Sequence, residues 1–363
     1  MKLLYIVPNI NNEGGVARVL SVKTNYLVEK LGYEVHILTQ NEGFSPLFYS
    51  FNSNIVYHDL VLKGNFFQFF NSFSKGLKAK ISAVQPDIVI VCDNGLKAYT
   101  IPFVLKTKIP IIFECHGSKY IEEKEQANYF FGTKIKSLFK ELSVNKYNKF
   151  VALSKESLKE WNVKNGVVIP NPLWFKTTQF ADLKSKKVIA VSRHSYEKGL
   201  DRMLQIWQIV VQKHPDWCLE IYGKSNENQE MQELATALNI EQNVTFFEPV
   251  KNINDKYLEA SILVMTSRTE GFGMVLMEAM ALGLPCVAYD CPVGPQSIII
   301  NNENGFLVED GNIDFFVRKI ELLIVDENLR IQMGKNAKNS ISKYDLESIM
   351  QQWKLLFEEL LKK

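Results

Sequence analysis

Short apolar runs alternate with longer segments of helical periodicity along the chain, and this alternation restricts the fold more than any other feature. A first series of apolar runs lies at residues 3–7, 35–39, 54–57, 87–91, 109–113 and 150–153. After a link near residues 170–186, a second series lies at residues 188–191, 218–222, 244–247, 262–266, 286–289 and 306–308. Strands that alternate with helices form parallel sheets covered by helices on both faces. The sequence therefore predicts an α/β fold with two doubly wound domains, whose strands end at a shared cleft.

Composition and charge exclude several classes of protein. The apolar run at residues 1–8 is too short for a signal peptide, and no apolar segment is long enough to span a membrane. The cysteines have no metal-type spacing; they are Cys92, Cys115, Cys218, Cys286 and Cys291. These features predict a cytoplasmic chain. Basic residues exceed acidic ones over residues 1–180 and the reverse holds afterwards, so we expect the first half to face an anionic partner other than nucleic acid.

One stretch, residues 261–283, combines a buried strand, a glycine turn and a helix. Glu270 opens the turn, and Glu278 lies roughly one turn into the helix. Between them, the turn and the helix start consist of Gly271, Phe272, Gly273 and Met274. Carboxylates accept hydrogen bonds from sugar hydroxyls, and the unpaired N–H groups at a helix start suit phosphate. The stretch therefore predicts a sugar-nucleotide site, although a helix cap at Glu270 and a solvated Glu278 would give the same pattern.

Further candidate residues follow other predicted strands. Gly14 and Gly15 form a glycine pair in a strand-to-helix turn, where a backbone can approach phosphate or sugar closely. They do not form a G-x-G-x-x-G motif, which argues against a dinucleotide cofactor. His116 follows one strand, and Arg193 and Lys198 follow another, where two cations can stabilise a diphosphate. A plain turn, a structural histidine and surface salt bridges are the alternatives.

Several of these motifs together resemble a known family. Glu270-Gly-Phe-Gly-x-x-x-x-Glu278, followed by Ala279-Met-Ala-x-Gly283-x-Pro285, is similar to the E-x7-E signature of the retaining glycosyltransferases of family 4, which have the GT-B fold. The Ile169-Pro-Asn segment is also similar to that family. The loop that starts at Asp290 resembles glycan-assembly members, although Ser297 stands where many of them have glutamate.

The resemblance implies roles for residues at the donor. Glu270 would orient the transferred sugar, and Glu278 would bind the ribose of the nucleotide. Arg193 and Lys198 would bind the donor diphosphate, beside the turn at residues 271–274. Backbone groups near Val250 would hold the nucleobase, for which uracil is favoured.

The resemblance also implies roles for the first domain and a mechanism. Gly14 and Gly15 would lie beside the donor diphosphate and the acceptor, and His116 near the transferred sugar. No D-x-D triplet is present, so we expect no metal and no cofactor. The family implies a retaining transfer of a hexose or N-acetylhexosamine, by front-face attack. A double displacement with Glu270 as nucleophile is the less favoured alternative, since that chemistry normally uses a second catalytic carboxylate.

The family resemblance also predicts the domain boundaries. A Rossmann-like acceptor domain would comprise residues 1–178 together with a last helix, 345–363, which crosses back to it in GT-B enzymes. A Rossmann-like donor domain would comprise residues 179–344. The apolar stripe predicted for the last helix is Ile349, Trp353, Leu356, Phe357 and Leu360.

Two segments of the first half are rich in both lysine and apolar residues. Residues 66–81 contain many phenylalanines, and residues 134–149 place lysines among apolar residues. Segment 66–81 is either a helix that packs on the core or one that lies on the inner membrane leaflet. The second interpretation, with a polyprenyl-linked or other lipid-linked acceptor, suits an enzyme of cell-surface polysaccharide assembly. It predicts peripheral association with the cytoplasmic face of the membrane.

Two other functions remain open at this point. A UDP-sugar epimerase or a phosphorylase can share the GT-B fold. A non-catalytic protein that binds a sugar nucleotide or glycan would also contain a donor site, but it would not turn the donor over.

Overall fold

The computed structural model describes residues 1–43, 46–119, 130–225 and 228–362, and it omits the side chains of residue 66 and residues 130–134. The chain divides into two compact units. The first unit comprises Met1–Trp174 and Leu346–Lys363, and the second comprises Phe175–Asp345. The sequence prediction sets these divisions after residues 178 and 344, whereas the units divide after residues 174 and 345.

The first unit is built on a parallel sheet with the strand order β3-β2-β1-β4-β5-β6-β7. Its strands are β1 Lys2–Ile6, β2 Glu34–Gln40, β3 Val56–Leu60, β4 Ile88–Val91, β5 Ile111–Cys115, β6 Lys149–Ala152 and β7 Gly166–Val168. Its helices up to the link are α1 Gly15–Glu29, α2 Phe66–Val84, α3 Leu96–Val104, α4 Phe130–Val144 and α5 Lys155–Lys159. The parallel sheet predicted from the alternation of strands and helices is confirmed.

Each face of this sheet carries its own apolar core. Successive side chains of a strand point to opposite faces. In β1, Leu3 and Tyr5 accordingly pack on one side, while Leu4 and Ile6 pack on the other. Because both faces are covered, the strands are apolar throughout rather than alternately polar.

The second unit repeats the architecture with a parallel sheet in the order β10-β9-β8-β11-β12-β13. Its strands are β8 Lys187–Val191, β9 Cys218–Tyr222, β10 Val244–Phe247, β11 Ile262–Met265, β12 Cys286–Asp290 and β13 Gly305–Glu309. Its helices are α6 Leu200–Lys213, α7 Glu230–Ala237, α8 Asn254–Leu258, α9 Met274–Ala281, α10 Pro295–Ile298, α11 Ile313–Val325 and α12 Glu327–Ser340. The order changes direction between β8 and β11, and ligands of doubly wound sheets bind at such a point.

The last helix, α13 Leu346–Leu361, belongs to the first unit although it follows the second in sequence. Its predicted apolar stripe is buried in the core that also contains Leu3 and Tyr5. Trp353 is 1% exposed, and it is among the largest fully buried side chains. Removing this helix would therefore uncover one face of the first sheet.

Two features differ from the sequence predictions. The structure forms β7, which pairs with β6, where the sequence suggests only a turn into the link. A strand of three residues is too short to show a periodic pattern. Strand β3 begins two residues later than predicted, because the apolar signal is weak in a strand whose side chains are mostly half-buried.

Helix α2 supports the core-packing interpretation of segment 66–81. Phe73, Leu77 and Ile81 are buried in the core on the second face of the first sheet, whereas Phe67 is 81% exposed. The helix begins with a capping box between Asn65 and Gln68. Within the described residues, no helix has the length and apolar character needed to cross a membrane.

Candidate active site

The loops after β8 and β11 are joined because these strands are neighbours in the second sheet. The Arg268 N–H donates to the Glu197 carbonyl oxygen at 2.8 Å, and the Thr266 hydroxyl donates to the Gly199 carbonyl oxygen at 2.8 Å. Gly199 has a φ of +63°, and a Cβ there would lie 2.2 Å from the Thr266 carbonyl oxygen. Only glycine fits this approach, so the Lys198-Gly199 sequence brings Lys198 to the end of β11.

Glu270 lies at the centre of this junction. Its Oε1 accepts a hydrogen bond from Lys198 Nζ at 2.7 Å and another from the Ser267 hydroxyl at 2.6 Å. The residue is only 8% exposed. Gly273 is the N-cap of α9, and it makes no side-chain capping bond. The helix-cap interpretation of Glu270 is therefore wrong, and the carboxylate is held by a cation and a hydroxyl.

Two glycines with positive φ shape the turn around Glu270. Gly273, with a φ of +90°, is the N-cap residue at which the turn ends and α9 begins, and the first N–H groups of a helix have no partner within it. Gly294, with a φ of +103°, lies against the turn from the loop after β12. A Cβ on Gly294 would lie 2.9 Å from Glu270 Cβ and 3.0 Å from the Phe272 carbonyl oxygen.

The other residues of the turn differ in how deeply they are buried. Phe272 is buried, and its ring meets the Tyr344 ring edge-on, with 5.6 Å between centroids. Gly271 and Met274 are half-buried on either side of it. Phe272 therefore holds the turn in place, while Gly271 and Met274 remain partly accessible.

Glu278 is buried on α9, at 5% exposure, and does not face solvent. The Tyr257 hydroxyl, from α8, donates a hydrogen bond to its Oε2 at 3.1 Å. The interpretation of Glu278 as a solvated surface residue is therefore wrong. A buried carboxylate needs hydrogen-bond donors, and Tyr257 supplies one of them.

Arg193 lies on the same loop as Lys198, but the structure gives it a different partner. Its side chain is 58% exposed and pairs with Glu197 at 3.0 Å, four residues further on. Burial acts to raise the pKa of Glu197, but accepted hydrogen bonds and the nearby Arg193 and Lys198 outweigh it, and the pKa is lowered. Arg193 is thus an exposed cation in a surface salt bridge, and such a pair costs little free energy to break.

The loops after β9 and β10 lie beside the loop after β8. Gly223 follows β9, and Ser192 follows β8. A Cβ on Gly223 would lie 1.8 Å from the Ser192 carbonyl oxygen, so glycine is needed for the loops after β9 and β8 to meet. Val250 is half-buried in the loop that follows β10. His194 is buried, packs edge-on against Phe246, and has its pKa lowered by burial. His194 is therefore part of the packing of these loops.

In the first unit, the glycine pair begins α1. Gly14 is the N-cap, and its N–H donates to Asn12 Oδ1 at 2.8 Å. Gly15 is the first residue of the helix. Arg18, one turn on, lies between the rings of Tyr49 and Trp174, with its guanidinium carbon 4.7 and 4.2 Å from their centroids. Arg18 is therefore a stacked side chain that is 8% exposed.

His116 follows β5, as the sequence predicts, and its side chain is 6% exposed. Its Nε2 lies 3.2 Å from Glu114 Oε1, and the same oxygen is 2.5 Å from Lys23 Nζ. Burial acts to raise the pKa of Glu114, but Lys23 and His116 outweigh it and hold the pKa well below its usual range. Cys92, Glu114 and His116 also lie close enough together to hold a metal ion.

Sequence reasoning missed the partners of these candidate residues. Ser267 stands three residues before Glu270, and that spacing was the available signal. Tyr257 and Gly294 approach through tertiary packing, so no local pattern marks them. Glu114 directly follows the apolar run at residues 109–113. A charged residue at the end of a buried parallel strand is unusual, and this was the available signal for Glu114.

Comparison with known proteins identifies the class of enzyme. The family described as Glycosyl transferases group 1 matches residues 175–340, and Glycosyltransferase Family 4 matches residues 13–203. An uncharacterized glycosyltransferase of Haemophilus influenzae is 30% identical, over 97% of this chain and 99% of that protein. The amylovoran biosynthesis glycosyltransferase AmsD of Erwinia amylovora is 27% identical, over 97% of this chain and 98% of that protein. The chain belongs to Glycosyltransferase Family 4, and it is a glycosyltransferase.

Solved structures show the same fold. The sucrose-phosphate synthase of Thermosynechococcus elongatus has a TM-score of 0.85 at 18% identity, covering 99% of both chains. A lipopolysaccharide outer core galactosyltransferase has a TM-score of 0.74 at 20% identity, covering 99% of this chain and 100% of that one. The predicted GT-B architecture is therefore confirmed.

Proposed function

We propose that this enzyme is a retaining, metal-independent glycosyltransferase that transfers a hexose or N-acetylhexosamine from a UDP-sugar. The acceptor is a glycan or lipid-linked glycan in cell-surface polysaccharide assembly. The observation that carries the proposal is the buried Glu270 carboxylate held by Lys198 and Ser267 at the start of α9. It places a hydrogen-bond acceptor for sugar hydroxyls beside a cation and a helix N-terminus that suit a diphosphate.

The donor diphosphate binds to Lys198, Arg193 and the first N–H groups of α9. Lys198 Nζ already shares a hydrogen bond with Glu270, so one ammonium can bridge the sugar-binding carboxylate and a phosphate oxygen. Arg193 leaves its exposed pair with Glu197 at little cost, because exposed ion pairs contribute little free energy. Together these groups stabilise the charge that develops on the departing diphosphate, with no metal required.

The other donor contacts follow from the same unit. Glu278 is held by Tyr257 and accepts hydrogen bonds from the ribose hydroxyls. Backbone groups near Val250, in the loop after β10, hold the base. Solved relatives of the same fold contain UDP, among them Anabaena HepE in complex with UDP and glucose, which supports a uridine nucleotide.

Transfer occurs on one face of the sugar. The oxygen of an acceptor hydroxyl forms a bond to the anomeric carbon while the bond from that carbon to the diphosphate breaks. The electron pair of the broken bond stays on the phosphate oxygen, and the leaving phosphate takes the proton of the acceptor hydroxyl. Glu270 orients the sugar and does not bond to it. In the first unit, Gly14, Gly15 and His116 serve the acceptor.

The acceptor class is supported by the relatives. AmsD is named for amylovoran biosynthesis, and a solved neighbour is a lipopolysaccharide outer core galactosyltransferase. A Staphylococcus aureus poly(ribitol-phosphate) N-acetylglucosaminyltransferase is 31% identical over 59% of this chain. All act on bacterial surface polymers by name, and the basic first half of this chain suits an anionic or lipid-linked acceptor.

The experiment that tests the function is a donor and acceptor panel. Purified enzyme is mixed with UDP-glucose, UDP-galactose, their N-acetylhexosamine analogues and GDP-mannose, each with octyl glycosides as simple acceptors and with EDTA present. Mass spectrometry detects the products, and NMR gives their anomeric configuration. We expect an α-linked product from one UDP-sugar. An inverted product, or turnover only after Mg²⁺ or Mn²⁺ is added, contradicts the proposed mechanism.

Membrane association is a further part of the proposal. Helix α4 exposes three apolar side chains at helical spacing, Ile135, Leu138 and Leu142, which are 61%, 58% and 57% exposed. Lys146 follows the helix and lies over the Phe103 ring at 5.8 Å. An exposed apolar stripe beside lysines suits the surface of an anionic bilayer. The three exposed apolar residues lie within residues 134–149, the second segment rich in lysine and apolar residues. Helix α2, which contains the first such segment, contributes mainly to the core.

Sedimentation with vesicles tests this part separately. Wild-type enzyme should pellet with phosphatidylglycerol vesicles and less with phosphatidylcholine vesicles. Replacing Ile135, Leu138 and Leu142 together by serine should abolish pelleting. The same replacement at the exposed residues Leu322, Val325 and Leu355 is the control. Equal pelleting of both variants would remove α4 from the membrane contact.

A further inference from the structure

A buried series of polar groups crosses the first unit from α13 to the end of β5. Lys23, on α1, is 1% exposed, and its ammonium lies 3.7 Å from the centroid of the Trp353 ring. The same ammonium is 2.5 Å from Glu114 Oε1, and Glu114 is also 1% exposed. Burying two charges is costly even when they pair, and an apolar pair of similar size is often as stable. The presence of this ion pair therefore calls for a functional explanation.

The position of Glu114 in β5 sets its side chain on the same face of the sheet as His116. Residues two apart in a strand point to the same face of the sheet. Ile112 belongs to the core on that face, and Glu114 and His116 follow it at the same spacing. Along this face of β5, the apolar Ile112 is therefore followed by the carboxylate of Glu114 and then by His116 at the end of the strand.

The contacts of Glu114 indicate which ring nitrogen of His116 carries a proton. Oε1 contacts Lys23 Nζ and His116 Nε2, and Oε2 accepts from Cys92 Sγ at 3.3 Å. An ionised carboxylate can only accept hydrogen bonds. A proton on Nε2 suits this contact, and in a neutral ring with Nε2–H the other nitrogen, Nδ1, is the acceptor.

We propose that Glu114 and Lys23 are positioning residues for His116. Glu114 holds the ring in the Nε2–H tautomer, so that Nδ1 accepts a hydrogen bond from a hydroxyl of the acceptor. Lys23 keeps Glu114 ionised and fixed, and Trp353 covers the ammonium. This inference rests on the proposed function, in which His116 serves the acceptor.

A metal ion at Cys92, Glu114 and His116 is the competing explanation. The candidate ligand atoms lie within 4.8 Å of one another. However, the Lys23 ammonium occupies the immediate surroundings of the same carboxylate. A divalent cation would be repelled strongly by that charge in a buried site. A metal would also take the lone pair of a ring nitrogen, so the two explanations predict different states of the ring.

The chain supplies a matched control for the buried group. In β2, Glu34 and His36 have the same two-residue spacing, with Nε2 of His36 2.9 Å from Glu34 Oε1. Lys2 Nζ lies 3.1 Å from the same oxygen. This second group of lysine, glutamate and histidine differs in that Glu34 is half-exposed and lies at the amino end of its strand.

The test compares two double variants, Lys23→Met/Glu114→Leu and Lys2→Met/Glu34→Leu. Each replaces an ion pair by apolar residues of similar size, so neither leaves an unpaired buried charge. Nitrogen-15 NMR of the five histidines, assigned with His116→Gln, reports the tautomer without any ligand. We expect His116 to be wholly Nε2–H in the wild type and in the Lys2/Glu34 variant, and to become a mixture in the Lys23/Glu114 variant.

Kinetics with an octyl glycoside acceptor complete the test. The Lys23/Glu114 variant should lose roughly tenfold to a hundredfold in transfer to that acceptor, the usual cost of removing the partner that orients a functional histidine. Its slow hydrolysis of the UDP-sugar by water should be unchanged, because water does not need the orienting hydrogen bond. The Lys2/Glu34 variant should match the wild type in both reactions.

The outcomes separate the inference from the proposed function. An unchanged tautomer in the Lys23/Glu114 variant, or a changed tautomer with unchanged transfer, overturns the positioning role. Stoichiometric zinc in the purified wild type that the same variant loses would also overturn it. If the wild type transfers no sugar at all but the tautomer responds as expected, the proposed function fails, and the assignment of the ring state remains.

Discussion

Lys198 Nζ lies 2.7 Å from Glu270 Oε1, although 72 residues separate them in sequence. The contact depends on the order of the second sheet, in which β8 and β11 are neighbours and their following loops meet. It depends equally on Gly199, since any side chain there would collide with the Thr266 carbonyl oxygen. The carboxylate that we propose to bind the sugar and the cation that we propose to bind the diphosphate are thereby held together.

Replacing Glu270 by glutamine should remove most of the activity and leave the fold intact. Glutamine keeps the size of the side chain but loses the charge that holds Lys198 and accepts sugar hydroxyls. We expect kcat to fall roughly a hundredfold or more, as when one preorganised polar group of an active site is removed. Steady-state transfer and circular dichroism measure this, and wild-type turnover in a folded variant would exclude Glu270 from the site.

Removing either cation should weaken nucleotide binding. Charge-assisted hydrogen bonds contribute more than neutral ones, so Lys198→Met and Arg193→Met should each raise the Kd for UDP roughly tenfold. Lys213→Met is the control, because Lys213 is exposed and pairs with Glu321 on the same unit. Calorimetry with UDP in EDTA measures the effect. Wild-type affinity in both variants would contradict the diphosphate role.

The loop after β12 should be sensitive to one added methyl group. Gly294→Ala places a Cβ against Glu270 Cβ and the Phe272 carbonyl oxygen, at a φ of +103°. Glu270 must then move, so we expect a large loss of kcat together with a lower Tm. Gly311→Ala is the matched control, since Gly311 also has a positive φ but open space around it. Equal effects on kcat would show that backbone strain alone is responsible.

The buried Glu114 should make stability depend on pH. Its pKa is lower in the folded chain than in the unfolded chain, because Lys23 and His116 outweigh the effect of burial. Its contribution is therefore fully present above the unfolded pKa and is lost as the pH falls through the folded pKa. Between about pH 5 and about pH 2, the free energy of unfolding should fall more for the wild type than for Lys23→Met/Glu114→Leu. Urea denaturation measures it, and parallel pH profiles would argue against an ionised Glu114.

Local patterns in the sequence were sufficient for the architecture and for proposing the main candidate residues of the site. Apolar runs and helical periodicity give two parallel α/β sheets, because burial on both faces makes such strands apolar throughout. The turn that contains Glu270 was visible because glycines, a carboxylate and a helix start lie together in the chain. The stripe that contains Trp353 was visible for the same reason.

Contacts between distant segments were not predictable in the same way. Nothing near Glu278 indicates that Tyr257 will donate to it, and nothing near Glu270 indicates that Gly294 will press against it. Both contacts depend on how helices and loops pack on the sheet. The local pattern also could not tell a capping or solvated glutamate from a buried one, and that choice was decided by packing. The pairing of Lys23 with Glu114 likewise spans 91 residues.

The most direct test of the whole account is a crystal structure of the enzyme with UDP. We expect the diphosphate to lie within hydrogen-bond distance of Lys198 Nζ, with the Arg193 side chain turned away from Glu197 toward it. The ribose should lie beside Glu278. A nucleotide bound away from the turn at residues 270–274, with Lys198 still paired only to Glu270, would contradict it.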